Sequence, residues 1–178
     1  MINIVNCENK LTDEDITNSL KFLDEYVKTN SCCDEFPECQ HPKSQTDPNV
    51  FESNDKRIKP IKESYLYSLK DVFKTDFDII KSKTWAFIQK ENKEYNWHNH
   101  LGDKIDGQHI PVSGIIYLND LNFGTIFDLD NFVLEIKPKK FHWYIWPGHY
   151  IHSPTQFICN TNRYVIATST YLRLKNNK

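Results

Sequence analysis

From about residue 84 to residue 174 the chain is written in short runs of alternating apolar and polar residues, separated by Gly, Pro, Asn and Asp. This pattern constrains the fold more than any other feature, because a period of two buries one face of a strand and cannot form the apolar stripe of a helix. It predicts strands at 84–91, 112–118, 124–129, 132–137, 141–146, 155–159 and 163–174. The alternation is clearest in F132-V-L-E-I-K and in R163-Y-V-I-A-T-S-T-Y-L. Many short strands joined by turn residues close into a sandwich or barrel.

The first half of the chain reads differently. Residues 2–6 alternate and suggest a short edge strand. Ile16, Leu20, Leu23 and Val27 then recur at helical spacing, and Thr12 with Asp15 has the form of a capping box, which predicts a helix over about 12–28. A second helix follows Pro60, with Ile61, Tyr65, Leu69 and Val72–Phe73 on one face. Two such helices can cover the outer face of one sheet. Between them, residues 30–58 lose all periodicity and carry Pro37, Pro42 and Pro48. A loop of that length is either a substrate-facing flap or an insertion of no consequence. With 178 residues and 39% hydrophobic content, the chain is sufficient for one domain with a real core, the helical support at 1–80 preceding a β core at 84–174.

Composition argues against several roles. A net charge of −2 with no basic stripe argues against duplex nucleic acid as a partner. No run approaches the roughly 18 apolar residues of a membrane span, and the N-terminus lacks the layout of a signal peptide, so a cytoplasmic protein is expected. Five cysteines are an odd number. Cys32, Cys33, Cys39 and His41 do not follow the spacing of paired zinc knuckles, and free thiols in a reducing compartment are the expectation.

Two stretches carry chemistry. W85-A-F-I-Q-K-E-N-K-E-Y-N-W-H98-N-H100 runs a strand into a turn with two histidines one residue apart, and W146-P-G-H-Y-I-H152 delivers a second pair, His149 and His152. Residues i and i+2 of an extended segment point the same way, so His98 and His100 can reach one point, and His152 from a neighbouring strand can complete a facial set of three metal ligands. Arg163 opens the last strand, with small residues at alternate positions that leave room for a carboxylate against it. His109 and His149 are second choices for the metal set. Tyr95, Trp97, Trp143, Trp146 and Tyr150 crowd the same region and suit either substrate stacking or core packing.

The ordered set formed by the H98-N-H100 doublet, V112-S-G-I-I-Y-L-N-D, G124-T-I-F, I145-W-P-G-H-Y-I-H152-S-P and R163-Y-V-I-A-T-S-T-Y resembles the Fe(II)/2-oxoglutarate-dependent dioxygenases. It is most similar to the small oxygenases common in phages and bacteria, which would fit a phage or virus gene, and more distantly to prolyl hydroxylases. The resemblance covers residues 84–174. It implies a mainly β fold, a double-stranded β-helix (jelly roll) with N-terminal helices packed on one sheet. It also implies a hydroxylase that consumes 2-oxoglutarate and O2 at Fe(II), releases succinate and CO2, and acts on a protein side chain or a small metabolite. By position, His98 and His152 would be iron ligands, Arg163 would hold the distal carboxylate of 2-oxoglutarate, and the Tyr117 hydroxyl would assist it. His100 stands where most of the family has aspartate, so either His100 or Asp103 would be the second ligand, or that position is left to water or an anion. Two alternatives stay open: a cupin-like three-histidine metal protein that does not use 2-oxoglutarate, and a non-catalytic binding module on the same fold. Neither substrate identity nor oligomeric state is legible.

Overall fold

The structure is a computed structural model that describes residues 3–30, 45–46, 49–102, 105 and 107–175. In chain order it contains β1 (Val5–Glu8), α1 (Asp13–Thr29), a single 3-10 turn (Val50–Glu52), α2 (Lys59–Phe73), β2 (Phe77–Asn92), β3 (Ile110–Tyr117), β4 (Thr125–Asp128), β5 (Val133–Ile136), β6 (His142–Pro147), β7 (Ile151–Pro154) and β8 (Phe157–Leu174). The strands form a five-stranded sheet in the order β1-β6-β3-β8-β2 and a three-stranded sheet in the order β5-β4-β7. Every pairing within them is antiparallel. This two-sheet arrangement is the sandwich that the alternating pattern predicts, in the jelly-roll form that the resemblance implies.

The two faces of the larger sheet bury different things. Its outer face is covered by the helices: Ile16, Phe22 and Leu23 of α1 and Ile61, Tyr65 and Leu69 of α2 pack with Val112, Ile116, Trp143, Ile145, Ile166 and Leu172. Polar groups in this layer are matched, since the Trp143 indole N–H donates to Ser64 Oγ at 2.9 Å and the Tyr65 hydroxyl donates to Thr170 Oγ1 at 2.9 Å. Its inner face meets the smaller sheet through Ile115, Tyr117, Tyr144, Trp146 and Val165 against Phe127 and Ile136. Period-two alternation therefore sends Tyr164 and Ile166 toward the helices and Arg163, Val165 and Ala167 inward.

Helix α1 begins where expected. Thr12 Oγ1 accepts from the Asp15 amide at 3.1 Å, and the Asp15 carboxylate accepts from the Thr12 amide at 2.9 Å, closing the capping box. Helix α2 starts with Pro60 in its first turn and ends at Lys74, which adopts a left-handed conformation (φ 53°).

The strand limits differ from the sequence reading at four places. β1 spans Val5–Glu8 rather than 2–6. β2 begins at Phe77 rather than at 84, because its polar first half pairs with the end of β8 at the sheet edge. The stretches at 155–159 and 163–174 are one continuous strand, β8, with a register shift opposite Gln89–Glu91. The strand that carries His152 is β7, four residues that the Pro147–Gly148 turn and Pro154 left without a visible period. Cys32, Cys33, Cys39, His41 and Asp103 lie outside the described residues.

Candidate metal centre

His98 lies just beyond β2 and is held by a two-way backbone bridge to β7. The His98 amide donates to the His152 carbonyl at 3.0 Å, and the His152 amide donates to the His98 carbonyl at 2.9 Å. His100 follows two residues later on the same side, its amide donating to the Gly148 carbonyl at 2.9 Å. Gly148 is required there because a side chain would sit 2.9 Å from Pro111 Cβ. The W-P-G turn and the H-N-H doublet thus lock each other in place.

The side chains follow from that backbone. His98 Nδ1 lies 2.7 Å from the Asn96 carbonyl and His152 Nδ1 lies 2.9 Å from the Tyr150 carbonyl, so each ring carries its proton on Nδ1 and presents the Nε2 lone pair. One ligand nitrogen from each of His98, His100 and His152 lies within 4.8 Å of the others. His100 Nε2 and His152 Nε2 are 3.3 Å apart. That falls within the roughly 3.0–3.4 Å expected for two imidazole nitrogens about 2.1 Å from a common ion. Burial, and next the nearby His98, lower the pKa of His100 to about 4 and that of His152 to about 3. Both are therefore neutral at physiological pH, the form that binds a metal. The donor set fits a divalent transition metal such as iron, and among the described residues it contains no carboxylate.

The three histidines open on a cavity of about 680 Å³ lined by Trp85, Phe87, Gln89, Thr125, Trp146, Arg163 and Tyr171, among others. Arg163 is only 3% exposed. Its Nε donates to the Phe123 carbonyl at 3.0 Å, and its Nη2 makes a longer bond of 3.4 Å to the Gly124 carbonyl. Its guanidinium lies between the rings of Tyr117 (5.2 Å) and Phe157 (5.3 Å). No carboxylate pairs with it among the described residues, and burial pulls its pKa down. A buried guanidinium facing a cavity without a described counter-charge is suited to receive an anion.

Tyr117 is not among the cavity-lining residues. Its ring supports the guanidinium from below, and its hydroxyl lies 2.7 Å from Thr125 Oγ1, so Thr125 is the hydroxyl that reaches the cavity. Gly124 makes this seat possible: a Cβ there would lie 1.6 Å from the Ile136 carbonyl oxygen. His149 is exposed on the turn and His109 lies against the Tyr171 ring at 5.3 Å, so neither belongs to the three-histidine group. Trp143 packs into the helix-covered core, whereas Tyr95 and Trp97 are exposed and stack on each other at 5.6 Å.

Sequence reasoning did not single out Thr125, Trp85 or Tyr171 for the site. Trp85 flanks His100 with ring centroids 5.9 Å apart, and the Tyr171 hydroxyl donates to the His100 carbonyl at 2.9 Å. Strand alternation puts Trp85 and Tyr171 on the inward face, but only the β2–β8 register brings them beside the doublet.

The jelly-roll fold is shared with solved structures of non-heme oxygenases and prolyl hydroxylases. No family model matches the chain, and no curated protein matches it by sequence. Solved structures do. A non-heme monooxygenase, the ThoJ–Ni complex, superposes with a TM-score of 0.67 at 11% identity over 96% of this chain and 75% of its own. The non-heme alpha-ketoglutarate-dependent carbocyclase SnoK from nogalamycin biosynthesis gives 0.66 at 7% identity over 97% of this chain and 81% of its own. The viral collagen prolyl hydroxylase of Paramecium bursaria Chlorella virus-1 gives 0.59 at 14% identity over 97% and 90%. At these identities the likeness is one of fold, and the chemistry has to be argued from the site.

Proposed function

We propose that this protein is an Fe(II)/2-oxoglutarate-dependent dioxygenase that hydroxylates a protein side chain or a small metabolite. One observation carries the reading: a buried arginine with no acid partner among the described residues faces the same cavity as three converging histidines. A metal site alone would need no buried cation, and a buried cation alone would need no metal site. Together they suit a ligand with a carboxylate at one end and metal-chelating oxygens at the other, which describes 2-oxoglutarate.

The roles of the residues follow. His98, His100 and His152 would hold the iron, and the two carbonyl-tethered rings are oriented before it arrives. Arg163 would receive the distal carboxylate of 2-oxoglutarate, with the Thr125 hydroxyl beside it and Tyr117 holding the guanidinium level. Phe127 and Trp146 pack against His152 and would shield a metal held there from water. When bound, iron and 2-oxoglutarate would supply the oxygen chemistry, with succinate and CO2 as by-products; the protein's task is to position and shield.

A second reading, a cupin-like metal protein that does not use 2-oxoglutarate, draws on the absence of a carboxylate from the three-histidine set. Spectroscopy separates the two. Anaerobic addition of iron(II) and then 2-oxoglutarate to metal-free protein is expected to produce a weak visible charge-transfer band that needs both. The band should be lost in His152→Ala and shifted to much higher 2-oxoglutarate concentrations in Arg163→Ala. Iron binding without any band on addition of 2-oxoglutarate would favour the cupin-like reading, and no iron binding would favour a non-catalytic module.

A further inference from the structure

The described part of the 30–58 stretch is pinned along the free edge of β2. The Thr46 amide donates to the Ala86 carbonyl at 3.0 Å, the Ala86 amide donates to Thr46 Oγ1 at 3.0 Å, and the Asn49 amide donates to the Thr84 carbonyl at 2.9 Å. Gln45 pairs opposite Phe87 in an antiparallel bridge. Directly opposed residues share a face, and Phe87 faces the cavity, so Gln45 does as well. It is 7% exposed, and its carboxamide has no hydrogen-bond partner among the described residues. A buried carboxamide aimed into a cavity with its donor and acceptor both unused is not explained by packing, for which an aliphatic side chain would serve better.

We propose that Gln45 is a specificity-determining residue, and that it reads a neutral amide group on the substrate. The proposal rests on the oxygenase reading for what the rest of the cavity holds. A carboxamide carries an N–H donor and a C=O acceptor side by side in one plane, without charge, and its best complement is another amide. Phe87 and Trp85, successive inward positions of β2, place aromatic rings on the same wall, a surface suited to a flat amide plane. The cavity offers no acidic side chain among its described residues, so a cationic group would find no counter-charge. Arg163 is already assigned to the carboxylate of 2-oxoglutarate.

The test uses protein loaded with zinc(II), an oxygen-inert and diamagnetic metal, with 2-oxoglutarate present. The N-methylamides of propanoic, 4-methylpentanoic, 3-phenylpropanoic and cyclopentanecarboxylic acids, each with a single amide, are the probes, each compared with its methyl ester, which keeps the carbonyl acceptor and lacks the N–H donor. Binding is read by ligand-observed NMR. At least one N-methylamide should bind about tenfold more tightly than its ester, because the ester leaves the Gln45 oxygen unmatched. Gln45→Ala and Gln45→Glu should abolish that preference while 2-oxoglutarate still binds, which also shows that the variants are folded. The idea is overturned if no N-methylamide binds, if amide and ester bind alike, or if the preference survives in both variants. Failure of 2-oxoglutarate to bind would instead sink the oxygenase reading, and the amide–ester comparison made without it would still decide the role of Gln45.

Discussion

At the scale of single residues, the centre depends on groups that touch no metal. Tyr171 is an example: its hydroxyl donates to the His100 carbonyl at 2.9 Å, fixing the backbone of the one metal-facing histidine whose Nδ1 is not held by a carbonyl two residues back. Removing that hydroxyl leaves the three imidazoles present but frees the turn that carries one of them. Tyr171→Phe is therefore expected to weaken metal affinity by about tenfold, the low end for outer-shell partners, while leaving thermal stability of the metal-free protein nearly unchanged. A competition assay with a coloured chelator measures the first quantity and a thermal melt the second. The histidine doublet was legible in the sequence because i and i+2 face the same way in extended chain, a purely local rule. Tyr171 was not, because the bond that gives it a role joins residues 71 apart and exists only once β8 is in register. Tyr117 shows the same limit from the other side: its place beside Arg163 follows from strand pairing (Tyr117 opposite Val165), but which hydroxyl reaches the cavity depends on how its ring tilts beneath the guanidinium.

At the scale of elements, alternation foretold most strands, while the turns decided where they begin and end. β7 was missed because Pro147 and Gly148 stand before it and Pro154 ends it, leaving a strand of four residues, too few to show a period. β8 was read as two strands because Asn160, Thr161 and Asn162 look like a turn, yet the chain runs straight through and absorbs the irregularity as a register shift. The turn before β4 carries a stricter demand. Gly124 approaches the Ile136 carbonyl so closely that any Cβ would overlap it at 1.6 Å, and its own carbonyl receives the Thr155 amide (3.2 Å) and Arg163 Nη2 (3.4 Å). Gly124→Ala must push β4 away from β5 and unseat the arginine in the same movement. The expected cost is about 3 kcal/mol, the upper end for overpacking, measured by urea denaturation. Loss of 2-oxoglutarate binding should accompany it out of proportion to the loss of fold. Gly102, where an added Cβ would meet nothing within 4 Å, is the control for stability, and its alanine variant should unfold like the parent.

At the scale of the whole molecule, the fold holds together two faces of one sheet with opposite demands. The outer face is apolar and closed by helices. The inner face combines an apolar cluster against the smaller sheet with a cavity that holds a buried arginine and three histidines. Stability of the metal-free protein should therefore depend on pH in a defined direction. His100 and His152 titrate at 6.5 when unfolded but at about 4 and about 3 when folded, because burial opposes their charged forms. Between those values and 6.5 the unfolded chain binds more protons than the folded one, so stability increases with pH across that range. The contribution is fully present above about pH 6.5 and is lost as pH falls toward 4 and then 3. A metal bound to the three nitrogens competes with the same protons and binds only the folded state, so it adds stability that grows with its concentration. Melts of metal-free protein should decline steadily from pH 7 to pH 4. Zinc(II) should raise the midpoint at pH 7 by several degrees, by less as acid displaces it, and not at all in His152→Ala. A metal-independent midpoint in the parent protein at pH 7 would mean that the three imidazoles, however close, do not act as one site.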